Sequence, residues 1–170
     1  MRYHDITKND MMNGEGLRVV LWVSGCSHNC DGCHNPVTHD PNDGLVFDEK
    51  AKQEIFDQLS QPYIAGITLS GGDPLYKGNR NDILALIEEI NEKYPNKTIW
   101  LYTGYTLDGL KNMKRDETYD AVQKILDSID VLVEGRFIKD RCYKYNPQVD
   151  AKNWVGSDNQ NIIRMKDRAQ

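Results

Sequence analysis

Three cysteines lie within one short stretch of the sequence, Gly25–Pro36, with the spacing C-x3-C-x2-C. Cys26, Cys30 and Cys33 directly follow an apolar run, Val19–Val23, which predicts a buried strand. Thiolates are soft ligands that suit iron–sulfur clusters and zinc. A cubane 4Fe-4S cluster usually takes four cysteines, so three leave one iron open to a substrate or cofactor. The spacing therefore indicates a metal centre with an open coordination position.

Two other readings of these cysteines follow from the residues alone. A disulfide is disfavoured because Cys26 and Cys30 are very close in sequence and nothing indicates an oxidising compartment. A structural zinc site stays open, since three cysteines with His28, His34 or Cys142 would complete a zinc ligand set.

Length and composition narrow the class of protein. The 170 residues predict one domain, 1–170. The formal net charge of −5 excludes the basic footprint of a nucleic-acid-binding protein. No apolar run approaches the roughly 18 residues of a membrane span, and the first residues contain no apolar signal core. We expect a cytoplasmic protein in a reducing compartment, where clustered cysteines indicate metal or redox chemistry.

Apolar runs and helical periodicity alternate along the chain. The polar residues 1–18 are predicted to be a lead-in with a turn at Asn13–Arg18, and a second turn is expected at Pro41–Gly44. The predicted strands are 19–23, 66–70, 98–102 and 129–133, with a short fifth at 161–165, and the predicted helices are 48–59, 82–94, 108–114 and 120–126. This alternation predicts an α/β fold with a mainly parallel sheet.

Each chemically suggestive loop follows a predicted strand. Parallel strands place their following loops at one edge of the sheet, where α/β proteins bind ligands. We therefore expect one mouth to be formed by four loops: the cysteine loop, Gly71-Gly72-Asp73, Thr103-Gly104-Tyr105 and Glu134-Gly135-Arg136.

The cysteine motif followed by Gly71-Gly72-Asp73 resembles the radical S-adenosylmethionine (SAM) superfamily. The resemblance implies a 4Fe-4S cluster on Cys26, Cys30 and Cys33, with the amino and carboxylate groups of SAM on the fourth iron. It also implies SAM contacts at Cys33, Gly71, Gly72, Asp73, Gly32, His34, Thr103 and Glu134. From the residues alone, His34 could instead cap a backbone carbonyl, and Thr103 and Glu134 could be ordinary turn residues.

Longer motifs resemble one branch of this superfamily, the activating proteins of anaerobic ribonucleoside-triphosphate reductase. They are Asn13-Gly14-x-Gly16-x-Arg18, Ser24-Gly25-Cys26-x3-Cys30-x-Gly32-Cys33, Ser70-Gly71-Gly72-Asp73-Pro74, Trp100-x-Tyr102-Thr103-Gly104-Tyr105 and Trp154-x-Gly156-Ser157-x-Asn159-Gln160. The branch implies a shortened, incomplete parallel (β/α) barrel. Asp73 replaces the usual glutamate, and Gly32 stands where many members of the superfamily have an aromatic residue.

The resemblance implies a mechanism and partners. A flavodoxin- or ferredoxin-like donor reduces the cluster, and SAM is cleaved to methionine and a 5′-deoxyadenosyl radical. The radical then removes hydrogen from a glycine of the reductase. The alternatives are activation of another glycyl-radical enzyme such as pyruvate formate-lyase, a radical SAM enzyme for a small molecule, and a zinc-stabilised, non-catalytic interaction module.

The sequence also gives expectations for four further residues and one segment. Cys142 is expected to be a free thiol, because a fourth ligand would block the open iron. His28 is expected to be exposed or to support the ligands, and His39 to lie on the surface. Arg136 is expected to pair with an anionic group in the mouth or with a neighbouring acid. The segment Trp154–Gln160 is expected to be a surface loop, to cover the site or to dock a partner.

Overall fold

The computed structural model describes residues 1–166. Within this range the chain forms seven strands and four α-helices, with short 3-10 turns at Pro36–Thr38 and Lys139–Arg141. The strands are β1 Arg2–Asp10, β2 Leu17–Val23, β3 Leu45–Val46, β4 Ile64–Gly71, β5 Thr98–Tyr102, β6 Val131–Glu134 and β7 Asn161–Arg164. The helices are α1 Glu49–Leu59, α2 Arg80–Lys93, α3 Leu107–Lys111 and α4 Tyr119–Ser128.

All seven strands belong to one mixed sheet with the order β3-β1-β2-β4-β5-β6-β7. Its centre is parallel, because β2, β4, β5 and β6 run in one direction. The strands β1 and β7 lie antiparallel to β2 and β6. The predicted α/β class is confirmed. None of the helices within residues 1–166 has the length and apolarity needed to cross a bilayer.

The first strand of the sheet was not predicted. Residues 2–10 form β1, so the prediction of a polar lead-in is wrong for this part of 1–18. Only Ile6 is buried in this strand, so its other positions can be polar. A strand next to the edge of the sheet needs no continuous apolar run, and the sequence therefore shows no strand signal here. Its pairing with β2 is reinforced where Trp22 Nε1 donates to Thr7 Oγ1 at 2.8 Å.

The helices confirm the predicted pattern with shifted ends. Asp48 caps α1 as expected, because its side chain accepts a hydrogen bond from Ala51 N at 2.9 Å. Helix α2 begins two residues earlier than predicted, α3 is shorter, and α4 extends to Ser128.

Alternate residues of the central strands face two different environments. On one side, Ile99 and Leu101 of β5 join the large core shared with α1, α2 and α4. On the other side, Trp100 packs with Val131 and Val133, and Trp154 lies over this second cluster. Among residues 1–166, no helix belongs to this second cluster, so this side of the sheet leaves room for a cavity at the ends of the strands.

Candidate metal centre

A cavity of about 440 Å³ opens at the carboxyl ends of β2, β4, β5 and β6. Each of the four loops named from the sequence contributes residues to its wall, so the predicted convergence is confirmed. The contributions are Cys26, Cys30 and Cys33 from the first loop, Gly71, Gly72 and Asp73 from the second, Thr103 and Gly104 from the third, and Gly135 from the fourth.

Backbone hydrogen bonds close the cysteine loop. Gly25 N donates to Thr38 O at 2.8 Å, and Cys26 N donates to His39 O at 3.1 Å. Within the loop, Cys33 N donates to Cys30 O at 3.2 Å. Because Thr38 and His39 closely follow the loop, these bonds join its beginning to its end.

The thiols that line the cavity combine burial with backbone donors. Desolvation raises the pKa of Cys26, although backbone hydrogen bonds from His28 and Asn29 act in the opposite direction. Desolvation likewise raises the pKa of Cys33, against a hydrogen bond from Asn35 N to its sulfur at 3.4 Å. These amide donors stabilise sulfur-centred negative charge, so the loop suits thiolate ligands once a cationic metal displaces the protons.

All four cysteines are free thiols. Cys142 is buried and does not line the cavity, whereas the other three cysteines are partly exposed and do line it. Among residues 1–166, no three His, Cys, Asp or Glu side chains lie close enough together to bind a single metal ion. The three loop thiols instead border a shared space, an arrangement suited to a group larger than one ion.

The Gly71-Gly72 turn brings the second loop against the cysteine loop. Gly71 has a φ of +107°, which L side chains rarely adopt. A Cβ atom on Gly72 would lie 2.5 Å from Gly25 O, so only glycine allows this approach. The contact is completed by Asp73 N, which donates to Gly25 O at 2.8 Å.

The Asp73 carboxylate is the hydrogen-bonding centre of the mouth. It is 1% exposed, and backbone N–H groups of Leu75 and Gly104 donate to it at 2.8 and 3.0 Å. Thr103 Oγ1 lies 3.0 Å from both of its oxygens, and His28 Nε2 lies 2.9 Å from Oδ2. Asp73 thus links three of the four loops.

His28 is built into this network rather than exposed. Its ring packs on Gly104, where an added Cβ would lie 2.4 Å from Cδ2, and it meets the Tyr105 ring edge-on at 4.5 Å. The Arg136 guanidinium donates to His28 O, so this predicted partner of an anion in fact binds a neutral carbonyl. His28 lies between Cys26 and Cys30, so its contacts help to position both thiols. Its pairing with Asp73 joins residues far apart in sequence, and no local pattern indicated it.

The residues expected near the adenine occupy different positions. His34 lines the cavity, with its ring 4.9 Å from that of Phe137. Gly32 does not line it, since its α-carbon faces the Lys139 side chain. His39, expected on the surface, is half-buried and lines the cavity.

The two predicted contacts from the later strands also differ. Thr103 faces the cavity, where its hydroxyl binds Asp73. Glu134 instead lines an adjoining cavity, and its carboxylate accepts hydrogen bonds from Leu107 N, at the start of α3, and from Asn161 Nδ2. A contact from either residue to SAM stays a prediction.

The tail segment Trp154–Gln160 covers part of the cavity. Trp154, Val155, Gly156 and Gln160 lie in its wall. The Gln160 side chain accepts from Gly156 N at 2.7 Å and donates to Gly135 O at 2.8 Å, which attaches the segment to the loop after β6. The Trp154 ring packs edge-on against Trp100 at 5.4 Å.

Arg18 braces the floor below the cavity. It is fully buried, and its guanidinium donates to Thr68 Oγ1 at 2.8 Å, Ile67 O at 2.7 Å and Thr98 O at 2.9 Å. Thr68 in turn donates to the carbonyl of Asn13, a residue in the cavity wall. Burial lowers the pKa of Arg18 to about 10, and acids and Tyr102 nearby partly oppose this effect. The Asn13–Arg18 motif therefore shapes the site from below.

Comparisons with known proteins agree with this geometry. A family model described as a 4Fe-4S single cluster domain matches residues 12–163. The anaerobic ribonucleoside-triphosphate reductase-activating proteins of Salmonella typhimurium and Escherichia coli K12 are 40% and 39% identical over 168 residues, which is 98% of this chain and 100% of theirs. The protein of that name from enterobacteria phage T4 is 38% identical over 95% of this chain and 93% of its own.

The chain belongs to this family of activating proteins. Membership supports an iron–sulfur cofactor and agrees with the resemblance that the sequence motifs indicated. Neither the zinc-module nor the pyruvate formate-lyase reading is favoured by these relatives.

Proposed function

We propose that this chain activates anaerobic ribonucleoside-triphosphate reductase by generating a glycyl radical on it. In this proposal Cys26, Cys30 and Cys33 hold a 4Fe-4S cluster, and SAM binds in the same cavity. When bound, the cluster and SAM supply the reductive, radical-forming cleavage that the activation requires. The observation that carries the proposal is the shared cavity, in which three free thiols face the Gly71-Gly72-Asp73 loop.

The residues present fit such a cofactor pair. Three soft thiols lie in the cavity wall, and together they would hold three irons of a cubane cluster and leave the fourth without a protein ligand. Cys142 is the only other cysteine, and it is buried away from the cavity wall. The glycine turn lets a ligand approach the backbone, and a volume of about 440 Å³ lies within the range of small-molecule sites.

Several residues of the cavity wall have a role in this proposal. The Asp73 carboxylate, oriented by backbone N–H groups, offers a negative group to the SAM ammonium. The His34 and Phe137 rings offer an apolar surface for the adenine, and Trp154–Gln160 limits access of water from one side. His28 keeps the cysteine loop in register with Asp73.

The fold proposed for this site is a shortened, incomplete parallel (β/α) barrel in a single domain, 1–170. Four parallel strands with helices packed on one face and a cavity on the other support it. The open side of the cavity suits a protein substrate, which cannot enter a closed barrel.

The proposed partners are the reductase, as protein substrate, and a flavodoxin- or ferredoxin-like electron donor, in a reducing cytoplasm. The printed names of the relatives support the reductase. The test is to incubate the anaerobically reconstituted protein with SAM, dithionite and either the reductase or pyruvate formate-lyase. We expect a glycyl-radical doublet in the EPR spectrum of the incubation with the reductase, and none in the incubation with pyruvate formate-lyase. A signal only on pyruvate formate-lyase, or SAM cleavage without any protein radical, would contradict the assignment.

A further inference from the structure

The segment Arg136–Tyr145 lies against the outer side of the cysteine loop. The Lys139 side chain packs over Gly32, where an added Cβ would lie 3.1 Å from Lys139 Cδ. Lys139 Nζ also lies 3.5 Å from the Asp31 carboxylate. On the other side of Cys30, Arg136 donates to His28 O. A molecule bound to this segment would therefore be one side-chain layer from the loop that carries the thiols.

This segment is basic in a chain whose net charge is −5. It contains Arg136, Lys139, Arg141 and Lys144 against a single acid, Asp140. Asp158 pairs with Arg141, and Asp31 lies near Lys139. The Arg136 guanidinium instead donates to the neutral carbonyl of His28, and no carboxylate in the described part of the chain pairs with it. Lys144 has no carboxylate partner within residues 1–166 and lies 5.7 Å from the centre of the Tyr145 ring.

Exposed apolar side chains accompany these cations. Ile138, Tyr143 and Tyr145 are 42%, 58% and 42% exposed. Exposed apolar groups rimmed by charge are typical of protein-binding surfaces, and tyrosine and arginine are enriched at such interfaces. Together these residues define the basic surface: Arg136, Ile138, Lys139, Tyr143, Lys144 and Tyr145.

We propose that the basic surface docks a small, acidic electron-carrier protein, which reduces the cluster through the cysteine loop. The proposal rests on the proposed function, since a cluster that cleaves SAM needs one electron per cleavage. The carrier loses one electron, the oxidised cluster gains it, and no bond to hydrogen or carbon changes in this step. Opposite charges steer such partners together, and transient redox complexes need only a small interface.

The test compares charge-reversal variants with an acidic flavodoxin as the reductant. Lys144→Glu alone and Lys139→Glu with Lys144→Glu reverse charge on the basic surface. The matched control reverses two exposed lysines on the helical face, Lys50→Glu with Lys124→Glu, at the same change in net charge. Flavodoxin-driven SAM cleavage at low salt should fall about tenfold in the double variant and less in the single one, while the control keeps its rate. Added salt should slow the unsubstituted protein much more than the double variant.

Two readouts separate docking from damage to the site. The total yield of SAM cleavage with excess dithionite, which needs no docking surface, should be unchanged in every variant. Calorimetric titration of oxidised flavodoxin into the holoprotein should show about tenfold weaker binding for the double variant.

Three results decide between the possibilities. Equal flavodoxin-driven rates and affinities in the basic-surface and control variants would overturn the docking site. If the double variant cleaves less SAM with dithionite, the single variant Lys144→Glu provides the test of docking instead. Within residues 1–166 the Lys144 side chain has no hydrogen bond to the cysteine loop, so its replacement should leave the site intact. If the unsubstituted, cluster-loaded protein cleaves no SAM even with dithionite, the proposed function itself fails.

Discussion

Replacing Asp73 with asparagine should destabilise the protein even without its cofactors. The substitution keeps the volume of the side chain but removes its charge and turns one oxygen into an N–H donor. Backbone N–H groups donate hydrogen bonds to both carboxylate oxygens: Leu75 N donates to Oδ1, and Gly104 N donates to Oδ2. In either orientation of the amide, its NH₂ group faces a backbone N–H. Two donors cannot form a hydrogen bond, so one backbone N–H loses its acceptor.

The magnitude follows from the contacts that are lost. A buried backbone N–H without an acceptor costs about 2 kcal/mol. The bonds from His28 and Thr103 lose their charge assistance, which adds about 1 kcal/mol. The free energy of unfolding of Asp73→Asn should therefore fall by about 3 kcal/mol. Thr103→Val, which removes one hydroxyl and keeps the carboxylate, should cost about 1 kcal/mol.

Urea denaturation of the cluster-free proteins under anaerobic, reducing conditions measures these differences. Both variants should keep the same dependence on urea concentration, which would show that the extent of unfolding is unchanged. A loss below about 0.5 kcal/mol for Asp73→Asn would refute the reasoning, because the carboxylate would then not be the hydrogen-bonding centre of the mouth.

Three other predictions concern the thiols, the tail segment and a buried tyrosine. Cys33→Ala should lose most cluster iron after anaerobic reconstitution, whereas Cys142→Ala should keep about four irons per chain, as iron and sulfide analysis would show; equal iron in both would remove Cys33 from the ligand set. Trp154→Ala should lower the free energy of unfolding by about 2 kcal/mol, because its ring loses the contact with Trp100, and calorimetric titration should show weaker SAM binding by the holoprotein; an unchanged SAM affinity would contradict a covering role. Burial raises the pKa of Tyr102 above its ordinary 10.0, so the folded protein keeps a proton at this residue that the unfolded chain loses, and the contribution of Tyr102 to stability falls as the pH rises above about 10. Relative to the unsubstituted protein, the urea midpoints of Tyr102→Phe should therefore fall less steeply with pH in this range. Parallel curves for the two proteins would show that Tyr102 makes no such contribution.

The strands that build the site could be predicted because they are buried on both faces. The sequence shows them as apolar runs, for example Val19–Val23 and Thr98–Tyr102. Because parallel strands place their following loops at one edge of the sheet, these runs also predicted that the four loops meet, as they do in the structure. The strand Arg2–Asp10 lacked that signal, because it is polar and depends on pairing with β2 and β3.

The contacts within the site were less predictable than its location. The partners of Asp73 lie 45 and 30 residues away, at His28 and Thr103, and no periodicity connects such positions. Glu134 sits at the predicted strand end, yet its carboxylate caps the start of α3, a choice that depends on where that helix begins in space. Arg18 looked like part of a turn motif, and only the packing of Thr68, Thr98 and Trp100 shows that it is a buried brace.

In the proposed site, three thiols leave one iron of the cluster free to bind SAM. Electron–nuclear double resonance can detect this binding on the reduced, reconstituted protein with SAM labelled with ¹⁵N in its amino group and ¹⁷O in its carboxylate. We predict couplings from both labels to the cluster, unchanged in Cys142→Ala. A cluster with four protein ligands and no coupling to either label would show that no iron is open to SAM.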